Sequence, residues 1–311
     1  MNVKVNPAQF GRVAVMLGGE SAERDVSLNS GHAVYNALHE AGCDVIKFDP
    51  AEQPLTDLMT HNVDRVFIML HGRGGEDGSM QGALEQLKIP YTGSRVLGSA
   101  LAMDKIHTKQ VWQTLNLPTA KYKIAERGLF DDDTGSAILT ELNHAVMVKP
   151  ACEGSSIGMA KVHDLVGLKH ALSEAFRYDQ QVLLEQYITG AEYTVAVLNG
   201  EALPSIRMQT PHSFYDYAAK YEDNTTQYFC PSDLSDEHEK ALAELCVKAF
   251  KAVSAQGWGR VDVMQDSDGQ FYLLEVNTVP GMTATSLVPK AAKVAGYSFT
   301  ELCFAVLATS L

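Results

Sequence analysis

An α/β fold that passes into a hairpin-rich α+β region is what the sequence predicts, and three observations carry that expectation. The first part of the chain alternates short apolar runs with stretches of helical spacing. Beyond residue 145, β-branched runs are joined by turn-forming clusters such as Asn199-Gly200 and Asp266 to Gly269. The chain has 311 residues, 46% of them hydrophobic and 20% charged, which suffices for two or three domains and a large core.

Residues 12–17 form an apolar run that ends in Gly18-Gly19. Residues 20–42 then place Leu28, Val34, Tyr35 and Leu38 at helical spacing and stop at Gly42. Two further strand-like runs, 43–48 and 64–70, complete a strand–helix–strand rhythm and so a parallel sheet covered by helices. The Gly18-Gly19 turn lacks G-x-G-x-x-G spacing and is no dinucleotide fingerprint. Glu23 follows the carboxyl end of the first strand, where open parallel sheets hold ligands, and its carboxylate suits a substrate ammonium. Taken alone, it is equally an acidic residue favoured at a helix N-terminus.

The third strand enters His71-Gly72-Arg73-Gly74-Gly75-Glu76-Asp77-Gly78, a glycine-rich loop whose backbone can approach a ligand closely. The plain reading of His71 is a loop histidine bonded to nearby backbone. A helix is expected over 79–88 and another over 99–115, the latter carrying Lys105. Residues 117–124 open a new unit, and 126–136, with three successive aspartates, read as a surface loop.

Residues 145–150 make a strand with Lys149 at its end. The loop Glu153 to Gly158 follows, and its backbone N–H groups with the hydroxyls of Ser155 and Ser156 could cradle phosphate oxygens. It is not a P-loop, because the lysine precedes the glycines; a hairpin tip is the alternative. After a helix over 164–179, the strand 180–188 brings Glu185 to one rim while Gln186, Tyr187 and Ile188 line a flat pocket suited to an adenine ring. A hairpin through Asn199-Gly200 carries Glu192 and Arg207. Residues 211–231 are polar, aromatic and irregular, the character of a lid or binding loop, and hold Lys220 and Tyr221.

The stretch 257–286 organises the rest. A strand over 260–265, a turn at 266–269 and a strand over 270–276 would set Gln265 opposite Gln270 and Arg260 opposite Glu275. Alternation then gathers Arg260, Asp262, Glu275 and Asn277 on one face and Val261, Val263, Leu274 and Val276 on the other. Two carboxylates and a carboxamide beside a guanidinium suit a hard divalent cation such as Mg²⁺. The alternative is a solvated face with a cross-strand Arg–Glu pair. Gly281 and Ser286 offer donors beyond the hairpin, and helices over 288–295 and 298–309 close the chain.

The net charge of −13 argues against a nucleic-acid or anionic membrane surface, so any phosphate must be held by a local basic pocket. Five widely spaced cysteines without a CxxC pair suggest neither zinc nor disulfides and fit a reducing cytosol. No apolar run reaches membrane length, and no signal peptide is expected.

The segments GGESAERDVSLNSG, LHGRGGEDGSMQG, AMDK, VKPACEGSSIGM, FYDYAAKY, GWGRVDVM and YLLEVNTVPGM, in this order, resemble the D-alanine–D-alanine ligase family of the ATP-grasp superfamily along nearly the whole chain. The resemblance implies an N-terminal α/β substrate domain over 1–100, then a two-lobed ATP-grasp fold. Its central lobe would span 101–187, and its C-terminal lobe 188–311 with the lid 211–231. It implies ATP-dependent joining of two D-alanines through a D-alanyl phosphate, for peptidoglycan precursors, in a cytoplasmic homodimer.

Residue by residue, the resemblance makes Lys105 and Lys149 the holders of the α- and β-phosphates, and Lys220 the cation at the transferred γ-phosphoryl. Glu185, Gln186 and Ile188 become adenine contacts, and Glu192 the ribose contact. Asp262, Glu275 and Asn277 would bind two Mg²⁺ (or Mn²⁺) ions. Glu23, in a set with Ser155 and Tyr221, would orient the first D-alanine; His71 lies on the substrate side. Arg260 and the Gly281 N–H would form the oxyanion site, while Ser286 and the Leu287 backbone clamp the second carboxylate. Gln186 stands where the family commonly has a lysine, and Cys152 where a polar residue is frequent. Rival readings are a D-alanine–D-lactate or D-alanine–D-serine ligase, the former disfavoured by Tyr221, and a non-catalytic nucleotide- or metal-binding module.

Overall fold

The computed structural model describes residues 6–210 and 225–311. The first unit runs β1 (Val13–Met16), α1 (Arg24–Glu40), β2 (Val45–Phe48), α2 (Asp57–Thr60), β3 (Arg65–Ile68) and α3 (Ser79–Leu87). Its three strands form a parallel sheet in the order β2-β1-β3, as the alternating pattern predicts. Every β1 side chain is buried, the expected signature of a central parallel strand covered on both faces.

Two helices follow where one was expected over 99–115: α4 (Val96–Met103) and α5 (Lys105–Thr114). Asp104 separates them. Its extended backbone cannot continue α4, while its side chain caps α5 by accepting from the N–H groups of Ile106 and His107. Lys105 thereby becomes the first residue of a new helix, aimed into the cleft instead of along a continuous surface.

The central sheet contains β4 (Tyr122–Glu126), β5 (Val146–Pro150), β6 (Ala160–Val162) and β7 (Gln181–Gln186), in the antiparallel order β4-β7-β5-β6. Helices α6 (Asp132–Glu141) and α7 (Leu165–Ala175) close its core with Ile138, Leu139, Leu168 and Leu172. The aspartate run expected as a surface loop in fact starts α6. Asp131 caps it, accepting from Thr134 N–H, and Asp132 and Asp133 lie in the first turn, where the helix dipole favours negative charge.

The last sheet comprises β8 (Gly190–Leu198), β9 (Glu201–Ala202), β10 (Ile206–Gln209), β11 (Gln227–Phe229), β12 (Trp258–Asp266) and β13 (Phe271–Asn277). Its order is β11-β10-β8-β12-β13, with β9 paired to β8 through the Asn199-Gly200 turn, both residues of which have positive φ. Helix α8 (Asp236–Ala252) covers one face with Leu242, Cys246, Ala249 and Phe250. Burying each such aliphatic or aromatic side chain stabilises the fold by roughly 1.5–3 kcal/mol.

The β12–β13 pairing corrects the expected register. Arg260 lies opposite Asn277 and Asp262 opposite Glu275; beyond them Val263 pairs with Leu273. Leu274 is therefore the extra residue of a β-bulge, and Leu273, not Leu274, joins Val261 and Val263 in the core. The bulge turns Leu274 toward the cleft and brings both carboxylates to directly opposed positions.

Helices α9 (Leu287–Val294) and α10 (Phe299–Leu307) pack back on the first unit, sharing one apolar core with β1, β3 and α1. Arg65 on β3 reinforces this closure by donating to the carbonyl of Ser310 at 3.0 Å. The boundary expected at residue 100 falls inside α4, and that at 187 just after β7.

Candidate active site

A cleft with two confluent halves lies where the three sheets meet. One half is lined by Lys105, Lys149, Glu185, Gln186, Ile188 and Glu192, and reaches Asp262 and Glu275 on the hairpin. The other half is lined by Glu23, His71, Arg260, Asn277, Gly281, Ser286 and Leu287. Ser155 and Glu275 border both. Lys220 and Tyr221, with most of the expected lid, lie outside the described residues; the lid's last part forms β11.

In the first half, Met147, Met159, Met264 and Leu274 supply apolar walls beside the backbone of Gln186 to Ile188. Such a slot accepts a flat ring, with Glu192 at its polar end. Glu185 is not on a rim as expected: it is buried and its carboxylate is taken by lysines, Lys149 at 2.6 Å from one oxygen and Lys109 on the other. Burial would push this carboxyl up, yet the two ammonium charges outweigh it and hold it below the usual carboxylate range.

Lys105 is also buried. Its ammonium donates to the carbonyl of Glu153 at 2.6 Å and stands 3.2 Å from Glu275. Burial works against its charge, but Glu275 more than compensates and raises its pKa. Neither Lys105 nor Lys149 is the solvated charge that an isolated lysine usually is.

On the hairpin face, Arg260 grips Asp262 with two parallel N–H···O bonds of 2.8 and 2.7 Å. Thr194 donates to the same carboxylate at 2.6 Å and the Asn277 amide at 3.1 Å. The arrangement is therefore a bound anion array, not a solvated sheet face.

In the second half, Glu23 occupies the N-terminal cap position of α1 and is buried. Its carboxylate accepts the Ser155 hydroxyl at 2.5 Å, tying the first domain to the serine loop. Gly154 makes this approach possible, because a Cβ there would stand 2.3 Å from a Glu23 carboxylate oxygen. Ser155 and Ser156 both take left-handed backbone, φ 50° and 61°, which curls the loop over the cleft.

His71 is buried against the Val279 backbone, and burial pushes its imidazole down to about 4, so the ring is neutral at physiological pH. Ser286 precedes α9, and its hydroxyl accepts from Thr283 N–H at 3.0 Å. The N-terminus of α9 beside it favours negative charge.

Two residues in this region escaped the sequence reading. Glu76 is a buried carboxyl in the substrate half, pushed up to about 8 by burial and by the charge of Glu23; it accepts from Gly72 N–H at 2.9 Å. Lys109 is the fully buried second partner of Glu185. The hint lay in spacing, since Lys109 is one helical turn beyond Lys105 on the face shared with Ile106 and Trp112. Burial, with Asp104 and Asp179 nearby, pushes the Cys152 thiol up to about 12, which makes it unreactive at neutral pH.

Comparison with known proteins places this geometry in context. A family model described as "D-ala D-ala ligase C-terminus" matches residues 111–308, and one described as "D-ala D-ala ligase N-terminus" matches residues 47–94. The D-alanine–D-alanine ligase of Pseudoalteromonas atlantica is 62% identical over 306 residues, covering 98% of this chain and 96% of that protein. The crystal structure of D-alanine–D-alanine ligase from Bacillus anthracis complexed with ATP matches with a TM-score of 0.84 at 30% identity, covering 96% of this chain and 97% of the other. The VanG D-Ala:D-Ser ligase from Enterococcus faecalis matches with a TM-score of 0.81 at 28% identity, over 96% and 99% of the two chains.

Proposed function

This chain belongs to the D-alanine–D-alanine ligase family, and we propose accordingly how its cleft carries out the family's reaction. The enzyme joins two D-alanines to D-alanyl-D-alanine, a peptidoglycan precursor, and converts ATP to ADP and phosphate. One observation carries the mechanistic reading. The lysine-lined half and the carboxylate-lined half are one cleft, with Ser155 and Glu275 at their junction.

ATP fits with adenine between Met147, Met264, Leu274 and the 186–188 backbone, ribose toward Glu192, and phosphates toward Lys149 and Lys105. The hairpin donors suit a hard cation: two opposed carboxylates and a neighbouring carboxamide, already drawing Arg260 and Lys105 to themselves. Among the described residues no group of three or more His, Cys, Asp and Glu side chains converges as a metal cage. Asp262, Glu275 and Asn277 would thus hold two Mg²⁺ or Mn²⁺ ions only together with phosphate oxygens. Bound there, the ions would neutralise phosphate charge in the transferred group.

In this reading Glu23, held by Ser155, takes the ammonium of the first D-alanine and turns its carboxylate toward the phosphates. A carboxylate oxygen attacks the γ-phosphorus, the bond to the ADP oxygen breaks, and D-alanyl phosphate forms. Ser286 and the Leu287 N–H hold the second D-alanine by its carboxylate. Its amine, having lost a proton, attacks the acyl carbon. Arg260 and the Gly281 N–H donate to the tetrahedral oxyanion, which collapses to the amide and expels phosphate. Removing one such donor typically raises the barrier by about 3–4 kcal/mol. Lys220 would meet the transferred γ-phosphoryl and Tyr221 would join the Glu23–Ser155 set, as the resemblance implies, while the expected lid over 211–231 would keep water from the acyl phosphate. The same resemblance supports a homodimer and a cytoplasmic location. Among the described residues no single helix is long and apolar enough to cross a membrane.

Coupled ADP release tests the reading. ADP should appear with D-alanine, Mg²⁺ and ATP, and not with L-alanine. Equal release with both enantiomers, or none with D-alanine, would sink it.

A further inference from the structure

Lys109 has no part in the roles assigned above, yet it is among the most deeply buried charges in the molecule. It is 0% exposed and sits on α5, one turn beyond Lys105. Its ammonium pairs with Glu185, donates to Thr119 Oγ1 at 2.5 Å and reaches the Leu273 carbonyl at 3.2 Å. Three acceptors meet its three N–H donors, and the Glu185 charge opposes the burial and the neighbouring Lys149 charge that lower the amine's pKa. Its partners come from β7, from the segment before β4, and from the backbone of β13 beside the bulge.

The charge count gives this burial a purpose. Lys149 faces the cleft, but Glu185 lies 2.6 Å from it on the inner side. With Lys149 alone, that carboxylate would cancel the positive charge on offer to a phosphate. Lys109 takes the other carboxylate oxygen, so two ammoniums share one carboxylate and one positive charge is left over at the cleft wall. In a chain of net charge −13, where phosphate binding depends on a local basic pocket, that surplus decides whether the wall attracts or ignores a polyanion. Truncating one member of a buried ionic cluster is strongly felt, because the remaining charge loses its compensation.

We propose that Lys109 is a positioning residue for the nucleotide half of the cleft: it neutralises Glu185 from behind and so keeps the Lys149 charge available to the ATP phosphates. The inference rests on the ligase reading above. It extends the phosphate-binding apparatus by a residue that never touches the nucleotide.

Charge rescue tests it. Steady-state ADP release is measured with Mg²⁺ for wild type, Lys109→Met and the double variant Lys109→Met/Glu185→Gln. Lys109→Met should raise the KM for ATP about tenfold or more, with the KM for D-alanine changed less than about twofold. Glu185→Gln alone, measured in the same way, sets the baseline, because the resemblance gives Glu185 a contact with adenine; the double variant removes the uncompensated carboxylate with the lysine and should return ATP affinity from the Lys109→Met value to that baseline. A purely structural Lys109 predicts the opposite, since a second polar substitution in the same buried cluster should add damage. If Lys109→Met does not fold, the double variant decides alone. A folded protein with ATP KM within about fivefold of Glu185→Gln supports the proposal, and a weaker binder or an unfolded chain overturns it. Equal losses for ATP and D-alanine would also overturn it. Wild type that releases no ADP with D-alanine would instead sink the ligase reading, so the two failures are told apart.

Discussion

His71 shows how burial sets chemistry at the level of one residue. Its imidazole is pushed down to about 4, while the unfolded chain would take up a proton near the ordinary histidine value of 6.5. Between those values the unfolded state binds more protons, so stability falls as pH falls through that window. Comparing pH 7 with pH 5, this group alone should remove about 2 kcal/mol from the native state. Urea unfolding of wild type and His71→Gln at the two pH values checks the sign: the variant should lose less on acidification, and equal losses would refute the assignment. Its own segment announced His71 as a loop histidine near a strand end, and the family resemblance added a place on the substrate side. Its neutrality comes from burial by distant segments and from the nearby Arg260 charge, against a Val279 backbone hydrogen bond that favours the protonated ring, and no local pattern records these surroundings. Lys109 and Glu76 were missed for the same reason, because a buried and a solvated ionisable residue are written identically. Glu23, Lys105, Lys149, Ser155, Arg260, Asp262, Glu275 and Asn277 were singled out because each sits in a recognisable segment, and the cleft gathers them.

Among the elements, the strands of the organising hairpin were legible from alternation and its turn from Asp266 to Gly269. The register was not: Gln265 pairs with Phe271 instead of Gln270, a shift already made at the turn, and a count in steps of two cannot see the additional residue at Leu274. The helix break at Asp104 and the capped start of α6 were misread through one shared omission. By pattern alone the aspartates of 131–133 read as a surface loop and Asp104 as one more residue of a continuous helix, whereas the side chains of Asp131 and Asp104 serve as N-terminal caps. The serine loop has an anchor that the sequence did not suggest. Arg73, in the glycine-rich loop after β3, donates to Glu153 and to Asp179 at 2.6 Å each, and Asp179 in turn accepts from Cys152 N–H at 2.8 Å. One half-exposed guanidinium therefore fastens the start of the serine loop, at Cys152 and Glu153, to the first domain. Exposed ion pairs of this kind contribute only about 0–1 kcal/mol each, so Arg73→Met should barely move the melting temperature. It should nevertheless raise the KM for ATP several-fold by loosening residues 153–158, and the increase should shrink in high salt as wild type weakens too. An unchanged ATP KM at low salt would show that the loop holds its shape without Arg73.

For the whole molecule, the decisive feature is the meeting of three sheets around one cleft in an acidic protein. The α/β rhythm predicted the first sheet, and the turn pairs predicted the antiparallel ones. What the sequence left open was closure. The terminal helices α9 and α10 return to share the core of the first unit, and the N-terminus of α9 thereby faces Glu23 across the substrate half. Long-range closure of this kind is set by tertiary packing that no window of the sequence contains. The proposed ligation needs that closure, since the phosphate-binding lysines, the carboxylate that orients the first D-alanine and the clamp on the second come from different units. If the two halves work as one site, an oxygen of the first D-alanine must leave with the transferred phosphoryl group. The direct test supplies D-alanine labelled with ¹⁸O in its carboxyl group, with ATP and Mg²⁺, and reads the isotope content of the phosphate released. The account predicts one labelled oxygen in each phosphate formed per dipeptide; phosphate free of label, alongside dipeptide formation, would contradict it.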